Sequence, residues 1–289
     1  MRARAILSGL LLLLPCVLHA QSADWRPILY TVEGAPGRVH LLGSIHRLPE
    51  PLGPWPAIVK AAYASSSLVF FETSFAGEPD DFPFGDGPFS GFDPQGRPLH
   101  TRLSEAERAR LETGLKLLGL NPAATELAVE PWALSLIVLD ARGEEETLPG
   151  VDELFMAHAR KDRKPVLGLE TAADAVGAFR NTSFEEQVAY LLSVAAPGPE
   201  GTGFGTLYRA WRLGDEGALQ AIIEADFGQT PGLAEALLAR RNRRWLPQLE
   251  AVLQTPGQTA FVVVGAAHLF GSDSVVELLR QAGYRVTRR

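Results

Sequence analysis

Apolar positions along the chain fall into two rhythms, and the switches between them mark the elements. Short apolar runs at 27–32, 38–42, 67–72, 165–169, 260–264 and 284–287 have the length and β-branched or aromatic content of strands. The first two flank Glu33-Gly34-Ala35-Pro36-Gly37 and predict a hairpin. Elsewhere a period of 3.6 takes over. It predicts helices over 58–64, 123–141, 152–161, 183–196, 206–213, 216–225, 233–253 and 274–282, with a further helix after Ser104 carrying Leu111, Leu115 and Leu118 on one stripe. Ser104 with Glu107, and Ser183 with Glu186, have the spacing of capping boxes.

Two of the strands stop in the same way. The run ending at Gly43 is followed three residues later by His46, and the run ending at Gly265 is followed three residues later by His268. The order strand, GxxH, helix, strand therefore occurs twice, over 38–72 and 260–287, enclosing a mostly helical middle. The expected fold is α/β, with a central mixed sheet holding both GxxH units and one domain over 21–289. Crossovers of this kind imply partly parallel strands, and ligands collect past the carboxyl ends of such strands. Two further runs end in acids, Glu72 and Glu170. His46, Glu72, Glu170 and His268 are thus candidates for a common site. A single histidine after a strand is ordinarily a hydrogen-bonded loop residue; the repetition is what lifts this pair above that reading. His40, His100 and His158 lack such a context and read as structural or solvated.

The helix over 233–253 adds two candidates. At 100° per residue, Arg241 and Asn242 share an arc with Leu237, Leu238, Trp245 and Leu249, while Arg240, Arg243 and Arg244 fall opposite. One arginine of the basic run should therefore face inward and need a carboxylate partner.

Two imidazoles beside a carboxylate suit Zn, Mn or Co. Such an ion, held by His46, Glu72 and His268, would activate water for hydrolysis of a peptide or small-molecule substrate. Arg241 and Asn242 would then orient or polarise that substrate. A metal-free esterase remains open, with an imidazole or Glu72 as general base and Arg241 at the oxyanion. So does a binding protein that uses the same cleft for a peptide, haem or glycan. HExxH, GxSxG and CxxCH motifs are absent. The stretch 75–98, with Phe75, Phe82, Phe84, Phe89 and Phe92, reads as a lid, an apolar wall or a plain insertion.

Composition narrows the setting. Arg2 and Arg4, the apolar run 5–14 and the exit at Leu18-His19-Ala20 form a secretory leader, cleaved after Ala20. Cleavage removes Cys16, the single cysteine, so thiolate chemistry and disulfides are excluded from the mature chain. It also removes two arginines and no acids, taking the net charge from −7 to −9, which argues against nucleic acid and anionic lipid as partners. No later run is long enough to span a bilayer. The expected location is the periplasm.

The motifs taken together resemble the TraB/GumN family, related to the Tiki metalloproteases and more distantly to erythromycin-esterase and ChaN-like proteins. The resemblance is carried by Gly43-Ser44-Ile45-His46, the strand ending in Glu72, Pro131-Trp132, Gly150-Val151-Asp152, Lys164 through Thr171, Arg241-Asn242, and Gly265-Ala266-Ala267-His268-Leu269 through Gly283-Tyr284. It implies an α/β core with the two GxxH histidines and an acid as the site, Asp152 and Glu170 as secondary candidates, and for Tiki relatives metal-dependent peptidase activity. Two departures stand out: Ala267 replaces the usual glycine before the second histidine, and an alanine-rich stretch follows Thr171 where a Glu-Gln pair is common.

Overall fold

The computed structural model describes residues 25–74, 90–142, 148–197 and 203–289. The expected leader, and Phe75, Phe82, Phe84 and Phe89 of the aromatic stretch, lie outside the described residues. The chain opens with the hairpin β1 (Leu29–Glu33) and β2 (Arg38–Ser44), then the two-residue strand β3 (Arg47–Leu48), α1 (Ala57–Ser65) and β4 (Leu68–Thr73). The middle comprises α2 (Glu105–Leu117), α3 (Pro131–Ala141), β5 (Leu148–Pro149), α4 (Val151–Lys161), β6 (Val166–Glu170), α5 (Ala172–Arg180), α6 (Phe184–Ala195), α7 (Phe204–Leu213) and α8 (Glu216–Phe227). It closes with α9 (Pro231–Ala234), α10 (Arg240–Gln254), β7 (Thr259–Gly265), α11 (Val275–Gln281) and β8 (Arg285–Arg288).

Six strands form one mixed sheet in the order β6-β4-β7-β2-β1-β8. Strands β6, β4, β7 and β2 run parallel, and β1 is antiparallel to both β2 and β8. β7, from the far end of the chain, inserts between β2 and β4. The register sets Ser44 opposite Gly265 and Thr73 opposite Glu170, so four strands end side by side. Residues 260–264 of β7 are all buried, which requires cover on both faces of the sheet. Phe155 of α4 and Tyr63 of α1 supply part of that cover by packing on Phe261, at ring separations of 5.2 and 5.7 Å. The middle helices bury a second apolar cluster of their own, including Leu111, Trp132, Leu191 and Leu233.

The helix expected over 123–141 is two elements. A 3-10 turn, Pro122–Glu126, is capped by Asn121, and an extended link precedes α3. Pro131 explains the break: it sterically disfavours helical backbone at Glu130, which is extended at ψ 145°, and then serves as the first helical residue. α5 was not expected at all, although Thr171 and Asp174 form a full capping box there. At Ser183 only half of the expected box exists: Ser183 accepts from the Glu186 N–H, but the Glu186 carboxylate accepts from the Gly232 N–H at 2.6 Å. The box at Ser104 and Glu107 is complete.

His40 is a structural histidine, as expected. It is buried in β2 with Thr31 Oγ1 3.0 Å from Nδ1. Burial, reinforced by Arg38, pushes its pKa down to about 4. The unfolded chain takes up this proton near pH 6.5 and the folded chain only near 4, so stability falls as pH drops through that interval. We expect a loss of up to about 3 kcal/mol from this group, partly flattened in His40→Asn, as read from urea midpoints between pH 4 and 7.

Candidate active site at the carboxyl ends of the parallel strands

The first GxxH loop is pinned from three sides. Gly43 donates to the Ile28 carbonyl at 2.9 Å, and its own carbonyl accepts from the Trp211 indole at 2.9 Å. Ile45 accepts from the Val151 N–H at the start of α4. Gly150 allows that contact, since a Cβ there would lie 2.3 Å from the His46 carbonyl carbon. Asp152, in the first turn of α4, meets the result: its Oδ2 lies 3.3 Å from His46 Nδ1. His46 Nε2 is left without a partner among the described residues. The Asp152 contact, helped by the charge of Asp152 and then of Glu72, raises the His46 pKa against the effect of burial. The side chain remains 70% exposed, so solvent screens much of that stabilisation.

The second loop is built differently. His268 sits on a 3-10 turn, Ala266–Leu269, 3% exposed, with its ring 4.4 Å from that of Trp245. Ala267 adopts an ordinary negative φ, so the glycine usual at this position is not required. Asn242 Nδ2 donates to the Asp273 carbonyl at 2.9 Å, which leaves Oδ1 to accept from His268 Nδ1 at 2.6 Å. That pairing places the proton on Nδ1 and a lone pair on Nε2. Burial first, with Arg241 adding to it, pushes the His268 pKa down to about 3. The ring is neutral.

Arg241 and its carboxylates complete the floor. Its Nε donates to Glu170 Oε1 at 2.6 Å and its Nη2 to Glu72 Oε2 at 2.6 Å. Nη1 donates to the Leu237 carbonyl at 3.2 Å and lies 3.3 Å from His268 Nε2. Every nitrogen of the guanidinium is therefore engaged within the protein. Arg244 reaches the other oxygen of Glu170 at 2.9 Å. Burial works against the charge of Glu72, but the neighbouring imidazoles, Arg241 and the Gly265 N–H at 2.7 Å hold it well below the usual carboxylate range. Arg241 and Asn242 face inward and Arg240, Arg243 and Arg244 outward, as the helical pattern predicts. Just before them lies a π-helical turn, Glu235–Ala239, a widening that the sequence pattern did not signal.

These groups converge. A Cβ added to Gly265 would lie 3.1 Å from Glu72 Oε1, 3.7 Å from His268 Cδ2 and 3.9 Å from His46 Nε2. The three side chains thus border one point. Glu170 lies behind Arg241 and Asp152 behind His46. The donor types, two imidazoles and a carboxylate, suit a divalent ion. Binding one requires His46 to lose the proton that its raised pKa retains and His268 Nε2 to give up its contact with Arg241. The arrangement is not closed around one: among the described residues no group of three or more His, Cys, Asp or Glu forms a cage. Ser44, named from sequence only as part of the first GxxH, has a buried hydroxyl beside this cleft with no partner among the described residues, as does Oδ1 of Asp152.

Compared with known proteins, the chain matches the TraB/PrgY/gumN family over residues 28–288. It belongs to that family. It is 25% identical to the uncharacterized protein YbaP of Escherichia coli over 279 residues, covering 91% of this chain and 95% of that one. The YbaP protein of Shigella flexneri matches to the same extent. Metalloprotease TIKI2 of Danio rerio is 42% identical over 55 residues, 19% of this chain and 11% of that protein. No solved structure matches the chain.

The buried cluster makes Arg241 a stability residue whatever the chemistry. Arg241→Met leaves Glu72 and Glu170 without their shared cation, and should lower the unfolding free energy by about 3–5 kcal/mol in urea titrations.

Proposed function

We propose that this protein is a hydrolase acting on peptide-like bonds, with His46, Glu72 and His268 bordering the reacting atoms. The observation that carries this reading is their convergence over Gly265, at the carboxyl ends of four parallel strands, where α/β proteins place ligands. The family membership and the short TIKI2 match agree with it. His46, Glu72 and His268 would hold a divalent ion, Zn, Mn or Co. Such an ion supplies Lewis acidity, making water nucleophilic at neutral pH and polarising a carbonyl.

The chain's own contribution follows from its hydrogen bonds. His46 presents Nε2 to the cleft because Asp152 holds Nδ1. That nitrogen would ligate the ion. In a metal-free site, once deprotonated, it would instead take the proton of an attacking water and return it to the leaving amine as the C–N bond breaks. Glu72 stays ionised and orders the water beside Gly265. Asn242 fixes the tautomer of His268, and Arg241 fixes the rotamer of Glu72. We assign these last two residues positioning roles, since their polar atoms are spent on protein partners.

A second reading, a metal-free hydrolase, draws on one observation. Arg241 already engages Glu72 Oε2 and His268 Nε2, two of the three donors that an ion would need. Water activation would then rest on His46 in its deprotonated form, which its raised pKa confines to alkaline pH. Metal analysis with turnover before and after chelation separates the readings. On the metal-dependent reading, chelation and His268→Ala each reduce turnover on a peptide library by at least about a hundredfold with the fold intact. Unchanged turnover in metal-free protein would establish the second reading. A tightly held ligand with no turnover would instead identify a binding protein.

The leader over 1–20 supports export to the periplasm. Among the described residues no helix is long and apolar enough to cross a membrane. N-terminal sequencing of the exported form should begin at Gln21; a retained leader, or lipid on Cys16, would overturn this.

A further inference from the structure

The cleft above the converging groups has a volume of about 940 Å³, more than a scissile bond requires. Its two sides differ in kind. The polar side is the floor already described. The other side comes from α3, α4 and α5 and is apolar, with Trp132, Leu136, Met156, Val176 and Phe179 lining the same cavity. Trp132 and Phe179 approach at 6.3 Å between ring centroids, so α3 and α5 present one continuous surface.

The sequence of α5 explains why this wall has room in front of it. Ala172, Ala175, Val176 and Phe179 follow the spacing i, i+3, i+4, i+7, so one face of the helix looks into the cavity. Two of those four positions are alanines, half-buried, which line the cavity without filling it. The wall is also where the two apolar cores meet: Met156, Phe71 and Val263 belong to the sheet cluster, Trp132 and Val176 to the helical one. The rim carries both signs, through Arg47, Glu153 and Arg160, and Arg47 is paired with Asp140. Charge at the rim therefore selects little, and discrimination falls to the apolar wall.

We propose that this wall is a specificity pocket for a large apolar side chain, aromatic or leucine-sized, adjacent to the bond that is cut. The inference rests on the hydrolase reading for its reaction and on the cavity alone for its ligand. Burying an aromatic side chain against such a wall is worth enough to separate it from alanine by tenfold or more.

Two probes test it: N-acetyl-phenylalanine amide and N-acetyl-alanine amide, titrated by NMR into the full mature chain. The phenylalanine compound should bind at least tenfold more tightly. Ala175→Leu and Ala175→Trp fill the space in front of the wall, and each should cut that ratio severalfold, the tryptophan more. The leucine variant guards against a misfolded tryptophan one, with circular dichroism as the check on both. Equal binding of the two probes, no binding of the phenylalanine compound, or an unchanged ratio in folded variants would overturn the pocket. Paired peptide substrates with phenylalanine or alanine flanking the amide separate this from the reaction itself. A binding preference for phenylalanine with no cleavage of either peptide retains the pocket and removes the hydrolase. Cleavage of both peptides at equal rates does the reverse.

Discussion

A guanidinium held out of water between two carboxylates is the constraint on which this site depends. Arg241 is 8% exposed, and a buried cation of that kind is tolerated only with close anionic partners. Glu72 and Glu170 are those partners, and they come from neighbouring parallel strands whose ends are in register. The cluster therefore ties α10 to β4 and β6 at the edge where the candidate site lies. Its consequences spread to both histidines. Arg241 helps to keep His268 neutral, and the ionised Glu72 helps to keep His46 basic.

The same cluster sets the main question about mechanism in electrostatic terms. An ion beside Glu72 and His268 would share its donors with a guanidinium. Each carboxylate oxygen has two lone pairs, and Glu170 stands behind as a second anion with Arg244 on its far side. Glu72 and Glu170 are thus matched by Arg241 and Arg244, so an ion would have to compete with Arg241 for Glu72. Glycines supply the remaining geometry. Gly265 leaves the meeting point clear, and Gly150 lets α4 reach the His46 backbone so that Asp152 can turn the ring. A side chain at either place would occupy space that the site now uses.

Family membership over 28–288 supports the fold, while the relatives matched over most of their length are uncharacterized. The functional reading therefore stands on the geometry, and the short match to TIKI2 agrees with it without extending it. The pocket wall depends on which residues are small on α5.

Local signals determined much of this protein. Strand runs, most helices, both GxxH exits and the inward arc of Arg241 and Asn242 were all legible, because period and capping are properties of neighbouring residues. His46, Glu72, Glu170 and His268 were legible as strand-end groups for the same reason. Where locality failed, a particular residue explains it. Pro131 divided a helix that periodicity joined, and the alanine-rich α5 carried its start signal in Thr171 and Asp174 rather than in a strong apolar stripe. Only the tertiary structure decided which strands are neighbours. The insertion of β7 between β2 and β4 brings His268 beside Glu72 across 196 residues of sequence, and no local pattern encodes that pairing. It also decided that Arg241 spends its donors on protein partners, and that a π turn precedes it, since both depend on how α10 meets strand ends supplied from elsewhere in the chain.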